Sequence, residues 1–181
     1  EQFYEALHLP ATDFCGYDTL KAETQILGLI VEGQSVESVS EGQVVEVILA
    51  QTPFYAQMGG QVGDTGWIQA NEGLIAVGDT QKPAGDLVIH IGQVTQGTVS
   101  QNDIVTAEVD AERRLDIARN HTATHLLHKA LRSVLGEQVQ QGGSLVAPDH
   151  FRFDFTHLVA MDSNEIRQVQ NTVNENIRQN L

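Results

Sequence analysis

The chain has 181 residues, 41% of them hydrophobic and only 6% aromatic, with 24 acidic against 10 basic side chains and a formal net charge of −14 at pH 7. A chain of this size and composition buries a real core without a disulfide or a structural metal, and the single cysteine, Cys15, excludes an intrachain disulfide framework and fits a reducing cytoplasm. No stretch approaches the ~18 apolar residues of a membrane span and the N-terminus is acidic and polar, so a cytoplasmic protein with no membrane partner is expected.

The charge is unevenly spread. Residues 1–110 hold 16 acidic and 2 basic side chains, which accounts for the whole net charge, whereas residues 111–181 hold 8 of each. An extended, nonspecific nucleic-acid groove is therefore disfavoured, because a polyanion would be repelled by the first part and could approach only the second. Five of the ten basic residues (Arg113, Arg114, Arg119, Lys129, Arg132) fall within twenty positions, which reads either as a local positive field or as a solvated helix face.

In chain order, the first twenty residues show no clear period, and regular structure is expected from near Thr24. Short β-type runs then recur at 25–31, 43–50, 66–70, 73–77, 86–94 and 103–109 with turn signals between them, and nine of the sixteen glycines lie between Gly59 and Gly97. That spacing predicts a small antiparallel barrel or sandwich. After Asp110 the period becomes helical. Asp110 is placed to cap a first turn, Asn120 to cap or re-cap a second, and Gly136 to stop the helix after Leu135. On a helical projection Ala123, Leu126, Leu127, Ala130, Leu131 and Val134 share one apolar face, while His121, His125, His128 and Arg132 lie within an arc of roughly 60° outside it. Two strands are expected around Pro148, with Phe151, Phe153 and Phe155 on one face. A last helix opens at Asp162 or Ser163 with Glu165 completing a capping box, carries Ile166, Val169, Val173 and Ile177 on one stripe, and runs to Leu181 without a stop signal, as in a chain cut from something longer. The fold class expected is α+β: a lead-in segment 1–20, a small antiparallel β-barrel-like subdomain 21–110 with a glycine-rich loop 52–66, and an α/β subdomain 111–181 with a central HxxxH helix, truncated at its C-terminus.

The most specific local feature is the run His121-Thr-Ala-Thr-His125. Imidazoles at i and i+4 on one helix turn can converge on a tetrahedral metal, usually zinc, although in a chain with seven histidines such a pair also arises on a plain surface. Thr122 stands where HExxH has its glutamate, so helix-borne metalloprotease chemistry is disfavoured. His128 reads as a packing residue before a third ligand. The stretch TPFYAQMGGQVGDTG at 52–66 suits either a tight hairpin or a loop whose amides approach a ligand, and it lacks the GxxxxGK[ST] and GxGxxG phosphate cradles. QQGGS at 140–144 is a polar loop.

Taken together, TPFYAQMGGQVGDTG at 52–66, RNHTATHLLHKALRSVLG at 119–136 and QGGSLVAPDHFRFDFTH at 141–157 resemble the editing domain of the alanyl-tRNA synthetase family. FCGYDTL at 14–20 resembles the full synthetases more than the freestanding editing proteins. The resemblance implies a deacylase that hydrolyses mischarged Ser-tRNA(Ala) and Gly-tRNA(Ala), with the tRNA(Ala) acceptor end and the other domains of a full synthetase as partners and ATP binding in the full-length enzyme. It implies zinc on His121 and His125, with a Cys and a His from a later CxxxH segment; no CxxxH exists here and Cys15 does not match it, so Zn2+ is expected to be weak or absent and deacylation impaired. It places Gln141 beside the editing pocket, with Thr52 and Gln61 as further substrate contacts. The alternative is a non-catalytic module that binds the tRNA acceptor end or packs between domains.

Overall fold

The structure is a computed structural model and describes residues 2–179. In chain order the elements are α1 (Gln2–Glu5), β1 (Asp13–Phe14), β2 (Lys21–Val31), β3 (Gln34–Val36), β4 (Ser38–Ser40), β5 (Val44–Leu49), β6 (Gln51–Thr52), β7 (Gly66–Gln69), β8 (Gly73–Ala84), β9 (Leu87–Ser100), β10 (Ile104–Val109), α2 (Ala111–Leu135), β11 (Gln141–Val146), β12 (Phe151–Phe155) and α3 (Ser163–Arg178). They form two compact units, one of Glu1–Met58 and Val62–Arg114, the other of Gly59–Gln61 and Leu115–Leu181. The fold class is α+β, as expected.

In the first unit, six antiparallel strands in the order β2-β5-β9-β8-β7-β10 close on themselves through the pairing of β10 with β2, so the sheet keeps no open edge along this path. Alternation is clearest on β10, where Val105, Ala107 and Val109 are buried beside Ile26, Leu29, Val47, Leu49, Ile68, Ile75 and Val94, while Ile104 and Glu108 are exposed. Each large aliphatic side chain taken fully out of water contributes about 1.5–3 kcal/mol. Register shifts at Ile26/Gly28 and Val77/Asp79 are bulges that curve the sheet. The strands β8 and β9 extend well past the expected runs, because cross-strand partners hold the hairpin paired out to Ala84 and Leu87. A second cluster packs Tyr4, Leu7 and Leu9 of the lead-in segment against Ile30, Ile48 and Leu87, so ordered packing begins well before Thr24.

In the second unit, Ala130, Leu131 and Leu135 of α2 pack with Val139, with Val169 of α3 and with the half-buried Phe153 and Phe155. The helix α2 is one continuous element rather than two. Asp110 caps it, its carboxylate accepting from Arg113 N at 3.0 Å, but Asn120 does not re-cap it: its amide donates to the carbonyls of Ala147 and Pro148 at 2.7 and 3.0 Å. The hydroxyls of Thr122 and Thr124 donate to carbonyls one turn back, at 3.0 and 2.8 Å, which keeps them compatible with the helix. The single apolar face also splits. Ala123 and Leu126 line an open groove of about 500 Å³ with Leu115, Ala118 and Ile177 instead of joining the core. On α3 the Asp162/Glu165 capping box is present, whereas Ile166 and Ile177 are more than half exposed.

The basic stretch divides: Arg119, Lys129 and Arg132 lie on a solvated helix face, whereas Arg113 and Arg114 are tied into the first unit. The guanidinium of Arg114 forms an ion pair with Asp64, whose side chain is 1% exposed, and donates to Gly16 O at 3.0 Å and Pro53 O at 2.7 Å; Tyr55 N donates to the same carboxylate at 2.7 Å. Arg113 donates to Gly63 O, and Arg119 and Arg132 pair with Asp116 and Glu137. A buried carboxylate that loses its cation is left uncompensated, at a cost of about 3–5 kcal/mol. Arg114→Ala is therefore expected to lower barrel stability by that amount in urea unfolding followed by the fluorescence of Trp67, the sole tryptophan, with Arg114→Lys intermediate because it lacks the planar fork; an Arg114→Ala midpoint equal to wild type contradicts this assignment.

Candidate functional site

Exposed imidazoles with an organised neighbour occur in the second unit. The rings of His121 and His125 stack with centroids 4.9 Å apart and planes 30° apart, and both residues are exposed. This is what an i, i+4 spacing delivers when neither ring is drawn into the core. The Nδ1 of His121 donates to Oε1 of Gln61 at 2.7 Å.

Gln61 arrives there by backbone pairing. It forms a parallel bridge with Val146, Val146 N donates to Gly60 O at 2.8 Å, and Ser144 Oγ donates to Gly59 O at 3.4 Å. Gln141 is exposed and donates from Nε2 to Ser144 Oγ at 2.9 Å. It stands where the register of β11 against β12 shifts between Gln141 and Gly143, and a bulge at such a place re-aims a side chain. The second unit thus brings His121, His125 and Gln61 together on one side and ties Gln141 to Ser144, which itself holds the Gly59 rung.

The two imidazoles fit two positions of a tetrahedral zinc site. Among the described residues no group of three His, Cys, Asp or Glu side chains is arranged to hold a metal ion. His128 packs against Phe153, ring centroids 5.0 Å apart, with its Nε2 buried and unpartnered in the described structure. Cys15 lies in the first unit, its amide donating to Thr52 O at 2.9 Å, and burial pushes its thiol above the ordinary range.

Thr52 is placed differently from the expectation of a substrate contact. It is fully buried in the first unit, and its hydroxyl is used internally: Oγ1 lies 2.7 Å from Nε2 of His90 and accepts from Phe54 N at 3.1 Å, while Nδ1 of His90 lies 3.0 Å from Val47 O. A carbonyl only accepts, so His90 carries its proton on Nδ1 and accepts the Thr52 hydroxyl at Nε2. Every polar atom of this pair is satisfied. Sequence reasoning gave His90 no role because its partners lie about forty positions away. The first unit also has a cleft of about 430 Å³ lined by Phe14, Tyr17, Tyr55 and Met58, whose charged neighbours are already paired, Lys82 with Asp86 and Asp13 with Gln51.

A family model described as tRNA synthetases class II (A) matches residues 2–113. The alanine–tRNA ligase of Chloroflexus aurantiacus is 48% identical over 172 residues, 95% of this chain and 19% of its own length; that of Paracoccus denitrificans is 52% identical over 170 residues, 94% and 19% respectively. The chain spans about a fifth of the length of these curated relatives. No described helix is long and apolar enough to cross a membrane.

Burial pushes the His90 imidazole down to about 4, only partly offset by its bond to Val47. The unfolded chain takes up this proton near 6.5 and the folded one near 4, so the stabilisation is complete above pH 6.5, is lost as pH falls through that window by about 3 kcal/mol in all, and is flat below it. Imidazole NMR is expected to show His90 neutral and protonated on Nδ1 at pH 5.5, where an ordinary histidine is charged. Thr52→Val is expected to destabilise the barrel by about 1–3 kcal/mol. A His90 that titrates near 6.5 contradicts this account.

Proposed function

This chain belongs to the class II (A) tRNA synthetase family, and from that premise we propose that it is the editing part of an alanine–tRNA ligase, a deacylase that hydrolyses Ser-tRNA(Ala) and Gly-tRNA(Ala). The need is physical. Glycine is smaller than alanine and enters any site alanine enters, and serine differs from it by one hydroxyl, which a hydrophobic pocket rejects by only ~10². A second, hydrolytic site solves both problems.

The observation that carries the reading is the exposed, stacked His121/His125 pair with Gln61 bonded to it. A site made only to bind or to pack does not require two imidazoles at ligand spacing on a polar helix edge. Those two residues would hold the divalent cation, with zinc the ion suited to them, and Lewis acidity toward an ester carbonyl is what a cation held there supplies. Gln141 brings an amide that donates and accepts, suited to a seryl hydroxyl, and the Gly59–Gln61 rung presents backbone close to the pair. The tRNA acceptor end and the rest of a synthetase are the partners on this reading. The electrically neutral stretch 111–181, rather than the acidic residues before it, is where a polyanion can approach.

Two histidines supply about half the ligands of a closed zinc site, hence roughly half the binding free energy, which sets a zinc Kd between about 1 µM and about 0.2 mM. The chain is expected to lose zinc on dialysis and to clear Ser-tRNA(Ala) slowly, at a rate that rises as Zn2+ is added. His121→Ala and His125→Ala are each expected to remove the zinc-dependent rate without lowering the melting temperature. Deacylation that ignores zinc and survives both substitutions contradicts the cation's part in the proposal, and the absence of deacylation at any zinc concentration favours a non-catalytic acceptor-end module.

A further inference from the structure

The two nitrogens of a histidine ring are not equivalent. Which one carries the proton in the neutral ring is set by what the other one meets, and only the bare nitrogen can donate a lone pair. Oε1 of Gln61 lies 2.7 Å from Nδ1 of His121 and cannot itself donate, so the proton of His121 sits on Nδ1.

One main-chain pairing and one side-chain hydrogen bond place Gln61. The parallel bridge to Val146, carried by the 2.8 Å bond from Val146 N to Gly60 O, and the 3.4 Å bond from Ser144 Oγ to Gly59 O hold three successive residues on the edge of β11. Gly60 has φ +86°, and a Cβ there would run into the carbonyl oxygen of Ser144, so only glycine lets the rung lie this close. The rung delivers an amide side chain sixty positions upstream of His121 to one nitrogen of that ring.

We infer that Gln61 is a positioning residue for His121: its side-chain carbonyl holds the imidazole in the Nδ1–H tautomer and leaves Nε2 as the lone pair offered to a divalent cation. The task differs from the direct substrate contact that the sequence suggested, and it explains why the residue is presented from a docked rung rather than from a free loop tip. Hydrogen bonds of this kind fix ring orientation and raise ligand basicity, and losing one lowers metal affinity about 10- to 100-fold. The inference rests on reading the histidine pair as a cation site, and the two are separated by different readouts.

Long-range 1H–15N NMR of the metal-free chain, at a pH where the exposed rings are neutral, reads the tautomer. Wild-type His121 is expected in the Nδ1–H form. Gln61→Met, of similar length but with only a weakly accepting thioether, is expected to move it toward Nε2–H, and Gln61→Glu, whose carboxylate accepts the same proton, to keep it. In titrations with Zn2+ alone, Gln61→Met is expected to bind about 10- to 100-fold more weakly than wild type and Gln61→Glu to recover wild-type affinity, a rescue that loss of folding would not show. A wild-type His121 protonated on Nε2, or a Gln61→Met variant that keeps the wild-type tautomer, overturns the inference. A tautomer shift with zinc affinity unchanged also overturns it, and if His121→Ala is equally silent toward zinc, the failure lies in the cation reading itself.

Discussion

Two glycines and a glutamine paired to the edge of β11 are the constraint on which the candidate site depends. A helix can place imidazoles one turn apart by its period alone, but the period does not decide which nitrogen of each ring is free. That is settled by an acceptor brought from elsewhere in the chain, here Gln61, held by a main-chain pairing with Val146 that a side chain on Gly60 would prevent. Sheet-type pairing is rigid enough for the task. A free loop tip carrying the same glutamine would spend its conformational entropy against every bond it made.

The chain's histidines show how one side chain serves opposite ends. His90 is sealed in the barrel, satisfied at both nitrogens by Thr52 and Val47, and burial keeps it neutral well into the acid range. It is structural polar packing. His121 and His125 stay exposed and stacked, with a partner on one nitrogen of one ring. The first unit spends its buried polarity on fixed geometry, most of all where Asp64 gathers Arg114 and Tyr55 N, while Arg114 also reaches the carbonyls of Gly16 and Pro53. The second unit leaves the His121/His125 pair and Gln141 facing outward, where a ligand can use them.

Much of the architecture could be read from periodicity. Val105, Ala107 and Val109 alternate in sequence and are buried in the barrel; Asp162 and Glu165 spell a capping box and form one; His121 and His125 share a helix edge because they stand one turn apart. What failed to show was set by partners distant in sequence. Asn120 has the chemistry of a cap but is taken by Ala147 and Pro148, so the helix runs on. Arg114 looked like one of five surface charges until Asp64, fifty positions earlier, claimed it. Thr52 sits in a glycine-rich stretch that invited a ligand role, yet its hydroxyl answers to His90. Gln61 was singled out by its neighbourhood, and only the fold reveals which atom it addresses. Local patterns specify elements, whereas the fate of a polar side chain depends on what the folded chain brings to it.

The central claim is that His121 and His125 share one divalent cation. Diffraction from crystals equilibrated with Zn2+, with data collected on both sides of the zinc absorption edge, tests it most directly. The account predicts a single anomalous peak about 2.0–2.1 Å from a ring nitrogen of each residue, with the Gln61 side chain still on Nδ1 of His121. Anomalous density on His90, His128 or His150 with none between the paired rings would contradict it.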